Sequence, residues 1–191
     1  MTQTTATTAR LTTALAAVLL AGAVTLDAQQ PNLDFTVSGT STIRGWTCTA
    51  KGTMTVTPGP GGGPAVPGFA NGVQSATVTV PVKAFTCPNA EMTEHLMQAM
   101  KPEQFPDIVY KLEKYEMAGD RAQATGTMTI QGRSQPLALP VVVKASGTGV
   151  ALEGNTRLDM TTYGVEPPVV MLGMLKVGPQ IRIELKGLVT P

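Results

Sequence analysis

Apolar and polar positions alternate along most of the chain after residue 32. Leu33, Phe35 and Val37 take turns with Asp34, Thr36 and Ser38, the period of a strand with one face on a core. Ile43 to Val56 reads as a strand pair or one bent strand, with Gly45 and Gly52 as bend points. In 73–85, Ala76, Val78, Val80 and Val82 share one face and Ser75, Thr77 and Thr79 the other; Pro81 puts this strand at an edge or ends it early. The same signature returns at Ile108, Tyr110 and Leu112, and at Ala124, Gly126, Met128 and Ile130. It continues at Leu137, Leu139, Val141 and Val143, a strand interrupted by Pro140. Val150, Leu152, Gly154, Thr156 and Leu158 form another strand, and Ile181, Ile183 and Leu185 close the series.

Only one region carries a helical period. Met92, Leu96, Ala99 and Met100 recur at i, i+4, i+7 and i+8. Asn89 caps this run, Glu91 and Glu94 lie near the positive end of the dipole, and Pro102 stops it, which predicts a helix over 90–101. The Gly/Pro-rich stretch 57–72 has no regular hydrogen-bonding pattern and reads as a surface loop, a tolerated insertion or a lid. The apolar run 167–173 reads as a short helix or tight loop that covers an opening or a core. Antiparallel strands with one helix fit either a sandwich or a closed barrel. Inward side chains of modest size (Val, Ala, Thr, Gly) leave room inside a barrel.

The amino end adds an address. Arg10 precedes Leu11–Val24, an apolar stretch followed by small residues, the order of a cleavable export signal over 1–28. That stretch is too short to span a bilayer comfortably, so the mature chain is expected to hold no stable membrane span. Export changes the reading of Cys48 and Cys87, the only two cysteines. Neither sits in a C-x-x-C pair, and in an oxidising compartment two such residues most often form one structural disulfide.

Charge then narrows the partners. Charged residues make up 14% of the chain and the formal net charge is +1, so nothing offers the basic surface that nucleic acid requires. The sole imidazole, His95, has no G-x-S-x-G elbow with it, and one histidine with scattered carboxylates supplies no zinc site. No catalytic residue, metal or cofactor is expected. What remains is binding: an apolar pocket gains about 25 cal/mol for each Å² of ligand surface withdrawn from water. Arg44, His95, Arg133 and Tyr163 are the candidates for contacting a head group at its mouth. Each is also explicable as a surface or turn residue.

The residues also carry a resemblance. Phe35-x-Val37-x-Gly39-x-Ser41-Thr42-Ile43-Arg44-Gly45-Trp46, then Met92-x-x-His95-x-x-x-Ala99-x-Lys101 with Phe105-Pro106-x-Ile108, resemble the YceI-like family of exported, lipocalin-like proteins. So do Gly126-x-Met128-Thr129-Ile130-x-Gly132-x-Ser134, Leu158 to Val165, and Leu175-Lys176-Val177-Gly178 with Ile181, Ile183 and Leu185. The likeness spans about residues 33–189. It implies an all-β fold, an extended antiparallel barrel of about eight strands around a long apolar channel, in one domain over 29–191. It implies no established catalytic machinery, and a ligand such as a polyisoprenoid, an isoprenoid quinone or a fatty chain. By that likeness Phe35, Trp46, Val78, Val80, Met97, Ile108, Tyr110, Met128, Ile130, Leu139, Leu152, Leu158 and Ile183 line the channel. The alternative is a filled barrel acting as a structural, envelope-stress or protein-interaction module. The 57–72 stretch is longer than the family's compact hairpins, and the cysteine pair is not a general family feature.

Overall fold

The structure, a computed structural model, describes residues 32–147 and 149–190; the expected export signal over 1–28 lies outside them. The strands are β1 (Leu33–Ser41), β2 (Gly45–Pro58), β3 (Val73–Pro81), β4 (Asp107–Ala118), β5 (Arg121–Ile130), β6 (Arg133–Ser146), β7 (Gly149–Asp159), β8 (Val169–Val170) and β9 (Leu175–Val189). One helix, α1 (Ala90–Met100), lies between β3 and β4. All pairings are antiparallel, and β9 returns to β1 along Leu33↔Gly187 to Gly39↔Ile181. That ladder decides between sandwich and barrel. The two-residue β8 pairs only with β9, so the other eight strands form the closed wall, with almost no free edge left to pair with another chain.

Two prolines mark a place where the wall parts. β6 pairs with β7 only from Val141↔Gly154 onward, so residues 133–140 have no strand on that side. Pro136 and Pro140 stand opposite Thr127 and Gln123 of β5. Counted from the two-residue turn Gln131–Gly132, their nitrogens point away from β5, where no ladder bond is lost. The strand therefore runs through Pro140 and is not interrupted there. A 3-10 turn, Met160–Tyr163, and Val165 fill the parting: Met160, Tyr163 and Val165 are buried against Tyr110, Met128, Ile130 and Leu158.

Other boundaries differ from the periodicity in ways with a local cause. β2 is one strand beginning at Gly45, and Ile43 falls in the tight β1–β2 connection. Gly52 is no bend point but a close approach: a Cβ there would lie 2.8 Å from both Phe35 Cε2 and the Thr79 carbonyl. β3 ends at Pro81, and Val82 starts a 3-10 turn over Val82–Ala84. Helix α1 stops at Met100 because Lys101 adopts the left-handed conformation (φ 52°) and donates its N–H to the Met97 carbonyl at 2.9 Å.

The strand directions sort the connections into two ends. The β1–β2 hairpin, α1, the Gln131–Gly132 turn and the β7–β9 crossover lie at the upper end; the 57–72 loop lies at the lower. That loop is more than an insertion. Phe69 is buried, and the Tyr115 hydroxyl accepts the Val73 N–H at 3.0 Å while donating to the Pro64 carbonyl. The loop thus floors the barrel. Buried positions of the described residues are all apolar, from Leu33 and Phe35 on β1 to Leu185 and Val189 on β9.

Candidate functional site

The barrel is hollow in two places. The upper cavity has a volume of about 330 Å³ and the lower about 110 Å³. Val78, Tyr110, Leu139 and Leu185 line both, so these four side chains form a waist between them. The lower chamber is walled by Leu33, Val73, Ala76, Ala122, Ala124 and their neighbours and floored by Val66 and Phe69 from the loop. Small residues on β3 and β5 leave it unfilled.

The upper chamber is roofed by α1. Its first turn forms because the Asn89 side-chain oxygen accepts the Met92 N–H at 2.8 Å. Met92, His95, Leu96, Ala99 and Met100 face the cavity, yet no residue of the helix is fully buried. The helix is therefore a roof rather than a plug. It is held at both ends: the Cys48–Cys87 disulfide joins β2 to the segment before it, and the Gln131 amide donates to the Ala99 carbonyl. The backbones of Thr49 and Thr86 add a reciprocal pair of bonds at 2.8 Å.

Of the cavity-lining residues, Arg44, Asn89 and Glu91 are solvent-exposed. They mark the mouth, between the start of α1 and the β1–β2 hairpin. His95 stands one turn from Glu91 on the same lining face. Trp46, the only tryptophan, lies just inside. Its indole covers Gly39, where a Cβ would meet Cζ2 at 2.6 Å, and its N–H donates to the Thr40 carbonyl at 3.3 Å. Glycine at 39 is what lets the ring lie flat on the wall.

Most of the channel residues expected from the sequence line this chamber: Phe35, Trp46, Val78, Val80, Ile108, Tyr110, Met128, Ile130, Leu139 and Ile183. Leu152 lines the lower one. Met97 and Leu158 line neither. Met97 packs on the periphery of the main core, and Leu158 is buried in the cluster that fills the β6–β7 parting. Among the head-group candidates, Arg44 and His95 line the cavity, whereas Arg133 and Tyr163 do not. Arg133 is exposed and its guanidinium carbon lies 2.7 Å from where a Cβ on Gly164 would stand, so it rests over the crossover. Tyr163 is buried beneath that crossover, and burial pushes its hydroxyl pKa up. Residues passed over by the sequence reading include Leu137, Thr156, Leu175 and Val177. Thr156 lies on the inward register of β7 and was within reach of the alternation; Leu175 and Val177 line the chamber only because the crossover lays its hairpin against it.

The chemistry of the chamber is that of a hydrocarbon solvent. The Tyr110 hydroxyl, at the waist, donates to the Leu137 carbonyl at 3.3 Å, and its pKa is pushed up to about 12 by burial and secondarily by Glu113. It stays neutral across the physiological range. Asp159 anchors the crossover: Thr161 donates its hydroxyl and its N–H (2.9 Å) to the carboxylate, which also receives the Gln180 amide at 2.9 Å. The Thr161 hydroxyl and amide hold that carboxyl below its usual range. Ser41 Oγ donates to the Arg44 carbonyl at 2.8 Å and, among the described residues, forms no pair with His95. No group of three or more His, Cys, Asp or Glu is placed to hold a metal among the described residues. Among the described residues the lining offers shape and apolar surface, with no cluster of reactive groups.

A model of the YceI-like domain matches residues 24–187. Three solved structures share the fold. BcnA of Burkholderia cenocepacia is 16% identical, with 83% of this chain and 96% of that one covered at a TM-score of 0.68. A polyisoprenoid binding domain from Saccharophagus degradans, implicated in plant cell wall breakdown, is 10% identical over 84% and 94%, TM-score 0.60. The YCEI protein of Campylobacter jejuni is 17% identical over 74% and 86%, TM-score 0.53. No curated protein matches the sequence.

Proposed function

The chain belongs to the YceI-like family, and on that premise we propose that it is an exported protein that sequesters or carries a long apolar molecule. A polyisoprenoid, an isoprenoid quinone or a fatty chain fits the chemistry. One observation carries the reading: a chamber of about 330 Å³ walled by aliphatic and aromatic side chains, in a protein whose described residues bury no polar or charged side chain. Its volume falls within the usual range of small-molecule sites, about 300–1,000 Å³. A chain partitioning into it leaves water without forfeiting any hydrogen bond of its own. The likeness to a polyisoprenoid binding domain supports the same class of ligand. At the mouth, Arg44 and His95, with Asn89 and Glu91, supply donors and acceptors for a hydroxyl, quinone or phosphate head.

Export is supported by the residues before Leu33 and by the Cys48–Cys87 bond, which suits an oxidising compartment. No helix among the described residues is long and apolar enough to cross a membrane.

The test is extraction of the protein purified from its native compartment under non-denaturing conditions, followed by mass spectrometry of the organic phase. Recovery of a long isoprenoid or acyl compound in stoichiometric amount supports carriage. Titration with a quinone probe adds a second readout, since a ring entering the chamber quenches Trp46. An extract free of lipid, together with Trp46 emission unmoved by quinone or fatty acid, overturns the proposal in favour of an unoccupied scaffold.

A further inference from the structure

Five large apolar side chains are exposed among the described residues, and four of them gather at one place. Ile43 (61% exposed) is at the tip of the β1–β2 hairpin. Val169 (60%), Leu172 (fully exposed) and Met174 (67%) are on the β8–β9 hairpin. The two hairpins are bound to each other: Thr42 N–H donates to the Lys176 carbonyl at 3.0 Å, Thr42 Oγ1 donates to the Met174 carbonyl at 2.8 Å, and Lys176 N–H donates to Thr42 Oγ1 at 3.2 Å. They form one lip. The fifth, Leu188, is at the opposite end of the barrel.

The lip is apolar on both sides. Val170 and Leu175 line the chamber, while Val169 and Met174, their chain neighbours, face outward. Apolar surface therefore runs without a break from the chamber wall over the rim to the outside. A rim that only closed the chamber would carry polar residues on its outer side, as the other strands do. Leu172 adds a second observation. It is held in the left-handed region (φ 54°, ψ 33°), where a leucine is disfavoured and Gly or Asn is at ease, and it touches nothing that would repay this. Two exposed cations, Arg44 and Lys176, flank the lip, and neither forms an ion pair among the described residues. Glu166 is the one acidic residue of the crossover, and Glu91 lines the same mouth as Arg44.

We propose that this lip docks on a lipid bilayer, with Ile43, Val169, Leu172 and Met174 entering the acyl boundary and Arg44 and Lys176 resting on anionic head groups. The occupant is a bilayer rather than a protein because the surface is continuous with the chamber and flanked by cations. Two short hairpin tips present protruding side chains, not the flat area that a stable protein interface needs. Docking there brings the mouth to the membrane, so an apolar chain passes between bilayer and chamber without crossing water. The inference rests on the carrier reading for its purpose, but the two fail separately.

The experiment is co-sedimentation of the mature protein, its amino terminus verified by mass spectrometry, with vesicles of phosphatidylcholine alone and of phosphatidylcholine mixed with phosphatidylglycerol. The parent is expected to sediment with the anionic vesicles and less with the neutral ones, the difference shrinking with salt. Leu172→Asn and Met174→Ser each lower the partition coefficient by about tenfold, the factor that goes with burying one aliphatic side chain. Lys176→Gln narrows the gap between the two vesicle types. Leu172→Asn leaves the thermal midpoint unchanged or raises it, because asparagine tolerates the left-handed backbone; a residue of merely structural importance would lower it. Quinone quenching of Trp46 in detergent-free buffer stays as in the parent, which separates docking from carriage. Failure of the parent to bind either vesicle overturns the proposal. So does equal binding by parent and Leu172→Asn, or a lip that instead pairs two copies, seen as a dimer that Leu172→Asn dissociates while vesicles are ignored.

Discussion

Replacing Cys48 and Cys87 together with alanine frees a loop of 39 residues, from near the start of β2 through the floor loop and β3 to the threshold of α1. Alanine is the right substitute because both positions are buried, and serine would leave hydroxyls without partners. On the chain-entropy account, closing a loop of that size removes about 4 kcal/mol of freedom from the unfolded chain. A domain of this length shifts by about 2–4 °C per kcal/mol, so the midpoint should fall by about 8–16 °C. The loss is also local. Without the bond, the roof keeps the Thr49–Thr86 backbone pair on that side, Gln131 on Ala99 at its far end, and the packing of Met92, Leu96 and Met97 on the core. Differential scanning calorimetry gives the first quantity, and amide exchange resolved by peptide gives the second. Exchange should quicken across 86–101 before it changes in the β4–β5 ladder. A midpoint within about 2 °C of the parent, or acceleration spread evenly over the barrel, would refute the view that this bond tethers the roof.

Val80 is 5% exposed, lines the upper chamber and pairs with Ile108 across β4. Val80→Asp places a carboxyl where no partner exists, at a cost of about 3 kcal/mol or more, with loss of quinone quenching at Trp46; unchanged stability and binding would put Val80 on the outer face. Tyr110 supplies an alkaline limb. Its folded pKa of about 12 lies above the unfolded value near 10, so its contribution is whole below about pH 10 and drains away as pH rises toward 12. In urea titrations Tyr110→Phe should flatten that limb, leaving the smaller share due to Tyr163, and a limb of the parent's slope in the variant would refute the assignment.

The walls of the chamber were legible in the alternation, because a closed barrel has one inside and period two names it. Phe35, Val80, Ile108, Met128 and Ile183 needed no more than that. The positions that escaped are those where the barrel departs from a regular cylinder. Leu158 keeps the inward phase of β7, but β7 has parted from β6 by then, and its inward direction meets the Met160–Val165 filler instead of the cavity. Met97 shares the helix with Met92, Leu96 and Met100, yet a roof offers only a narrow stripe to the space below it, and Met97 lies off that stripe. Arg133 and Tyr163 were plausible by type, and only the crossover's path shows one lying over it and the other sealed under it. Nothing local in 57–72 announced that Phe69 turns inward as a floor. The residue that pins the loop, Tyr115, bonds the Pro64 carbonyl from 51 positions further along the chain.

Hollowness itself has a thermodynamic consequence. A filled core of this size would gain dispersion contacts that the side chains around the two chambers forgo, and the fold offsets this with a nearly complete ladder and one covalent tie. An apolar ligand restores the missing contacts in the folded state and finds no equivalent in the unfolded chain. Binding must therefore appear as stability, by about 2.7 kcal/mol at a free concentration one hundred times the dissociation constant. At about 2–4 °C per kcal/mol that is a rise of about 5–11 °C, measurable against delipidated protein. Val80→Asp should show little of this rise, because its carboxyl stands in the chamber wall. The disulfide-free variant should show nearly all of it, since the bond restrains the unfolded chain and the ligand acts on the folded one. A rise of equal size in Val80→Asp would mean that the stabilising molecule binds outside the barrel, and the chamber would then be a void without an occupant.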